Sequence, residues 1–138
     1  IRHCGWYPDR KLRLWDVRRG TWGGSNPHEW VIVQKGSRIG FLKGDILHYS
    51  YDSIAAHRAQ TERFAVIAAG WLFAQGKKAS LFSLVLHLPA LVFLKNYVFR
   101  LGFLDGYYGI VICRITARGS FLKYAKLRAL EKQHENRV

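Results

Sequence analysis

Residues 48–76, HYSYDSIAAHRAQTERFAVIAAGWLFAQG, are where the chain changes character. Asp52 or Ser53 can cap a helix, because a short polar side chain there accepts an amide of the first turn. Ile54, His57, Arg58, Thr61, Phe64, Ala65, Ala68 and Leu72 continue it, and Gly76 closes it ahead of Lys77 and Lys78. Upstream, residues 6–51 are rich in Gly, Trp and Arg and hold three short apolar runs, at 12–15, 29–33 and 38–42. Gly20, the 23–27 stretch and Gly36-Ser37 separate them, which predicts short strands joined by turns. Downstream, residues 79–130 are apolar and aromatic, interrupted by Pro89, Gly102, Gly106 and Gly109. The glycines of 102–109 predict a turn between two apolar helices, with Asp105 capping the second. Residues 117–132 place Arg118, Lys123, Lys126, Arg128 and Lys132 among Phe121, Leu122, Tyr124, Leu127 and Leu130, a basic amphipathic helix or an ordinary solvated face. The fold class expected is α/β, with short β-strands followed by about three helices.

The chain has 138 residues, of which 49% are apolar and 14% aromatic, so it is neither disordered nor collagen-like. That length suits one ordinary domain or part of a larger one. Lys and Arg number 22 against 9 Asp and Glu, a formal charge of +13 that favours an anionic partner: nucleic acid, phosphate groups or anionic lipid. Cys4 and Cys113 lie at opposite ends and match neither a disulfide framework nor a zinc spacing, so Cys113 reads as a buried, inert thiol in a reducing compartment. The longest stretch without a charged side chain, 79–94, falls short of the roughly 20 residues a membrane span requires. Its flanks carry Lys77, Lys78, Lys95 and Arg100, which fits a helix lying at a membrane interface or a hairpin packed within a larger protein. No signal peptide is visible, and a chain that begins Ile1-Arg2-His3 without any methionine reads as a fragment.

Chemistry-bearing groups are sparse. Pro27-His28-Glu29-Trp30 sets an imidazole and a carboxylate side by side where a turn enters a strand. A carboxylate near an apolar wall can serve as a general base, and a strand-edge ion pair is the competing reading of Glu29. His48, three residues after Asp45, can ligate a divalent metal, contact a phosphate or be purely structural. The remaining histidines are too scattered for a zinc site. Walker, Gly-x-Gly-x-x-Gly and Gly-x-Ser-x-Gly patterns are absent.

Taken in order, residues 7–15 (YPDRKLRLW), 27–30 (PHEW), 42–50 (LKGDILHYS), 102–109 (GFLDGYYG) and 121–126 (FLKYAK) resemble the C-terminal part of bacterial family-2 glycosyltransferases of the lipopolysaccharide core type. The resemblance covers about residues 6–130. It implies an inverting enzyme with a GT-A fold that moves a sugar from a nucleotide-sugar donor to a lipopolysaccharide-core or other lipid-linked saccharide. On that basis residues 1–51 would end the catalytic domain on its acceptor side, and 52–138 would form a C-terminal helical, membrane-proximal region. The Asp-x-Asp motif that holds a divalent metal (Mg or Mn) in the family does not occur in this sequence, so this segment alone is expected to be inactive. Glu29 is the implied base, with His28 orienting it or touching the acceptor. Arg10 and Arg13 would bind diphosphate or acceptor phosphates, Trp30 a sugar ring, and His48 would approach the metal. The expected location is peripheral, on the cytoplasmic face of the bacterial inner membrane, against an anionic surface and without nucleic acid. Two other readings compete: a non-catalytic basic membrane-associated protein, and a small nucleic-acid-binding module.

Overall fold

Ser53 starts the first helix, as its chemistry predicts. The computed structural model describes residues 1–25 and 28–136, with side chains for all of these except Ser25, His28 and Leu86. Ser53 is extended, and its hydroxyl accepts the amide of Ala56 at 3.0 Å to open α1, Ile54–Ala74. At the other end Gly76 takes a φ of +68°, its amide donating to Phe73 and the Lys77 amide to Leu72. This double closure needs a left-handed residue, and glycine adopts that conformation at least cost.

Two short helices follow. Ser80 caps α2, Leu81–Leu86, and Pro89 opens α3, Pro89–Leu94, where its missing amide costs no hydrogen bond. The chain continues as a π-helical turn over Lys95–Phe99, passes Leu101 at a φ of +55°, makes a 3-10 turn over Gly102–Asp105 and enters α4, Gly106–Glu135. The basic segment at 117–132 is therefore the C-terminal part of one long helix, about 45 Å at 1.5 Å per residue. Among the described residues the arrangement is mixed α/β with four α-helices, one more than the sequence suggested.

Residues Ile1–Pro8 pack with Tyr51–Val138 as one unit, and Asp9–Ser50 form the other. In the helical unit Thr61 meets Gly119, Glu62 pairs with Arg118 at 2.8 Å, and the Phe73 ring meets His134. Ascending numbers on α1 thus meet ascending numbers on α4, so the two helices run parallel. Small side chains permit the approach: Ala65 and Ala69 of α1 are buried. Ala69, Ala79 and Leu127 form one core cluster, flanked by Leu72, Phe73, Tyr124 and Leu130.

A second cluster joins Cys4, Ile112 and Cys113 to Trp6, Phe93 and Tyr97, which ties the N-terminal strap to the helices. Here Asp105 departs from expectation. It precedes α4, but its carboxylate caps no amide of that helix. It accepts the backbone N–H of His3 at 2.8 Å and of Arg2 at 3.2 Å, and pairs with His3 Nδ1 at 3.0 Å. Burial pushes the Asp105 carboxyl up, but the hydrogen bonds from His3 and Arg2 outweigh it and hold the group below its usual value.

In the other unit, β1 (Gly20–Ser25) pairs antiparallel with β2 (His28–Val33), Gly20 opposite Val33 and Ser25 opposite His28. Residues 26 and 27, which join the strands, lie outside the described residues. The 29–33 run is a strand as predicted, whereas 12–15 and 38–42 are not. Neither gains a ladder partner, and Leu14, Phe41 and Leu42 stay about four-fifths exposed. Gly20 and residues 23–25, read as turn residues, lie instead in strand β1, whereas Gly36 sits in a turn as expected. A Cβ on Gly23 would strike the Ile32 side chain and one on Gly20 would strike Trp15, so these glycines make room for large neighbours. Trp15 stacks edge-on against Trp22 at 5.1 Å.

Candidate functional site

The hairpin carries the sequence-derived acid and aromatic. Glu29 lies opposite Gly24 and Trp30 opposite Gly23, and both are exposed. As successive strand residues they point to opposite faces of the ribbon, so the hairpin does not bring the carboxylate and the indole together. No ion pair to Glu29 occurs among the described residues, so the arginine-rich surroundings do not occupy it. The backbone of His28 is the first residue of β2, and its side chain lies outside those described.

Arg10, Arg13 and His48 sit on the segments without regular secondary structure either side of the hairpin. Arg10 lies over the Phe41 ring at 5.3 Å, which joins the two segments through a cation–π contact. Arg13 is exposed. Nδ1 of His48 and the Ser50 hydroxyl are 2.6 Å apart, leaving Nε2 as the nitrogen open to a ligand. A divalent metal needs several such donors, and among the described residues no three His, Cys, Asp or Glu side chains gather for one. The described residues do not by themselves fit a metal centre.

In the helical unit the sequence reading missed a contact between residues 109 positions apart: the sulfurs of Cys4 and Cys113 lie 3.3 Å from each other, both buried. Burial pushes the Cys113 thiol up to about 12 and raises Cys4 as well. Such thiols hold almost no thiolate at neutral pH, which agrees with the inert role expected of Cys113. Spacing could not signal it, because Cys4 lies on the N-terminal strap and Cys113 on α4, and only tertiary packing brings them together. Nearby, the His57 ring is buried, stacked on Tyr51 at 4.1 Å and edge-on to Trp6 at 5.5 Å, and burial lowers its pKa.

The same unit presents a large apolar surface. Leu81, Phe82 and Val85 lie on one side of α2, and Leu91, Leu94 and Val98 recur at helical spacing through α3 and the π turn, all exposed. Between Glu62 and Asp105 the sequence has no acidic residue, and between Asp105 and Glu131 there is again none. Asp105 itself is engaged by His3. Pro89, Ala90 and Phe93 of α3 and Ile110, Arg114 and Ala117 of α4 line an open groove of about 400 Å³. Among the described residues no helix is long and apolar enough to cross a membrane.

Comparison with known proteins sets this chain beside a glycosyltransferase. Over 116 residues, 81% of its length, it is 34% identical to an uncharacterized glycosyltransferase of Rickettsia prowazekii (strain Madrid E). The alignment takes in 39% of that relative, so the chain spans about two-fifths of its length. No family model matches, and no solved structure matches.

Proposed function

We propose that this chain is the acceptor-side and membrane-proximal part of an inverting glycosyltransferase, of family 2 and the lipopolysaccharide core type, in a GT-A fold. The observation that carries the reading is the 34% identity with a protein named as a glycosyltransferase, sustained over four-fifths of the chain. The unpaired, exposed carboxylate of Glu29 supports it.

In this reading Glu29 takes the proton of the acceptor hydroxyl. The freed oxygen attacks the anomeric carbon of a nucleotide sugar while the bond to the diphosphate breaks on the opposite side, which inverts the configuration. His28 orients the base or touches the acceptor, and Trp30 offers a face to a sugar ring. Arg10 and Arg13 neutralise phosphate oxygens, where the planar guanidinium makes charge-assisted, two-pronged hydrogen bonds. His48 approaches the diphosphate and any divalent metal that the rest of the transferase holds. The acceptor is a lipid-linked or core saccharide, met by a peripheral enzyme on the cytoplasmic face of the inner membrane. Each lysine or arginine close to an anionic leaflet contributes about 1 kcal/mol, so several suffice without a span.

The test is to incubate the complete gene product that contains residues 1–138 with a panel of nucleotide sugars and a core-saccharide lipid, and to read the new anomeric linkage by NMR. One donor is expected to give a linkage inverted relative to its own. Retention of configuration would refute the inverting mechanism, and no transfer from any donor would refute the reading.

A further inference from the structure

The groove between α3 and α4 combines two properties that are costly to leave unused. Its lining is apolar apart from one guanidinium, that of Arg114. Arg114 is exposed, and no hydrogen bond or ion pair to it occurs among the described residues. Ile110, Arg114 and Ala117 share one stripe of α4, and Pro89, Ala90 and Phe93 face them from α3, so the cation stands beside the apolar cleft. Phe93 also packs on the buried thiol cluster and stacks on Tyr97 at 5.1 Å, which fixes the groove wall to the core.

We infer that this groove and the α2–α3 surface beside it form a docking site for anionic phospholipid in a bilayer, the groove holding acyl chain and Arg114 holding a headgroup phosphate. Charge selects the occupant. Lys77, Lys78, Lys95 and Arg100 flank α2 and α3 along the chain, and the acids near them are answered: Asp105 by His3, Glu131 by the Ala79 amide at 2.6 Å, and Glu135 shares the cleft beside Leu81 with Arg128 and Lys132. A second copy of a chain with a formal charge of +13 is repelled from such a surface, whereas an anionic leaflet is attracted. Composition selects it too: exposed Leu, Phe and Tyr between lysines and arginines are the side chains that settle at the boundary between headgroups and acyl chains. The inference deepens the peripheral-membrane part of the proposed function and is independent of the catalytic assignment.

The experiment is flotation of the complete gene product that contains residues 1–138 with vesicles of phosphatidylcholine alone and of phosphatidylcholine with about one-third phosphatidylglycerol, at about 0.1 M salt, where screening reaches over about 10 Å. Wild type is expected to float only with the anionic vesicles. Arg114→Gln should lower the partition coefficient about fivefold or more, the worth of one cation at an anionic surface. Arg114→Lys should recover part of that loss, and Arg58→Gln, an equal loss of charge on α1, should change it less than twofold. Ile110→Asn should weaken binding while leaving the charge intact, and circular dichroism on each variant confirms the helices. Equal losses for Arg114→Gln and Arg58→Gln would overturn the groove and leave a diffuse cationic surface. Equal flotation with both vesicle types would overturn phosphate recognition. No flotation of wild type would overturn the membrane reading as well, while sugar transfer by the complete protein would still stand or fall by its own assay.

Discussion

Replacing Gly102 by alanine should be among the most damaging single-methyl changes in this molecule. A Cβ at this position would lie 2.8 Å from the Asn96 carbonyl oxygen, 2.8 Å from Cys113 Sγ and 2.9 Å from Cys4 Sγ. None of these is the loose end of a flexible side chain. The carbonyl belongs to the π-helical turn, and the sulfurs already touch each other inside the core. Overpacking a filled core costs about 1–3 kcal/mol, and three simultaneous contacts below 3.0 Å set the expectation near the top, about 3 kcal/mol. For a helical unit of this size that lowers Tm by about 10 °C or more. Two other glycines separate sterics from backbone strain. Gly106 has open space around its missing Cβ but a φ of +58° and ψ of −138°, so Gly106→Ala should cost about 1–3 kcal/mol through conformation alone. Gly70 is exposed inside α1 with nothing near it, so Gly70→Ala should stabilise by about 0.5–1 kcal/mol through helix propensity. Thermal and urea melts followed at 222 nm read all three. A Gly102→Ala protein that melts within about 2 °C of wild type would refute the packing of strap, π turn and α4 around that residue.

Other perturbations read other links. Both thiols should resist iodoacetamide at pH 8 in the folded protein and react once it is unfolded in urea, and native alkylation at the rate of a free thiol would contradict their burial. The buried His57 has a lowered folded pKa, so the unfolded chain takes up the extra proton first: stability is full above the unfolded value near 6.5 and falls as pH drops toward the folded pKa. His57→Phe should flatten that slope in urea titrations between pH 7 and 5, and an unchanged slope would refute it. Asp105 acts at lower pH with the same sign, its contribution being lost as the carboxyl protonates below about 4. Ser53→Ala should cost about 1 kcal/mol by leaving the Ala56 amide without its partner, measured as a shift in the urea midpoint at constant m.

What the sequence revealed and what it hid divide by range. The start of α1 at Ser53 and its end at Gly76 were legible because each rests on chemistry within four residues, a hydroxyl over a first-turn amide and a residue free to take positive φ. The strand at Glu29 was legible from β-branched and aromatic residues. The runs at 12–15 and 38–42 have the same composition but no neighbouring strand, and composition does not supply a partner. The 102–109 glycines were legible as an interruption but not in their separate roles: Gly102 and Gly109 admit close packing, whereas Gly106 supplies a backbone turn. Asp105 was placed correctly ahead of α4, yet its carboxylate serves the N-terminal strap about a hundred residues away. For the site, local sequence put Glu29 on the hairpin and His48 beside Ser50. The groove at Arg114 was invisible, since only folding sets α3 against α4.

The most direct measurement is transfer of labelled sugar into the lipid fraction by the complete gene product, wild type beside Glu29→Gln. Removing a general base costs about 10²- to 10⁴-fold in rate, and Gln keeps the size and polarity of Glu at this exposed strand position. Wild-type transfer with a loss of at least 10²-fold in the variant, and an unchanged melting curve, is the expected result. Transfer by Glu29→Gln at the wild-type rate would contradict the assignment of this carboxylate as the base.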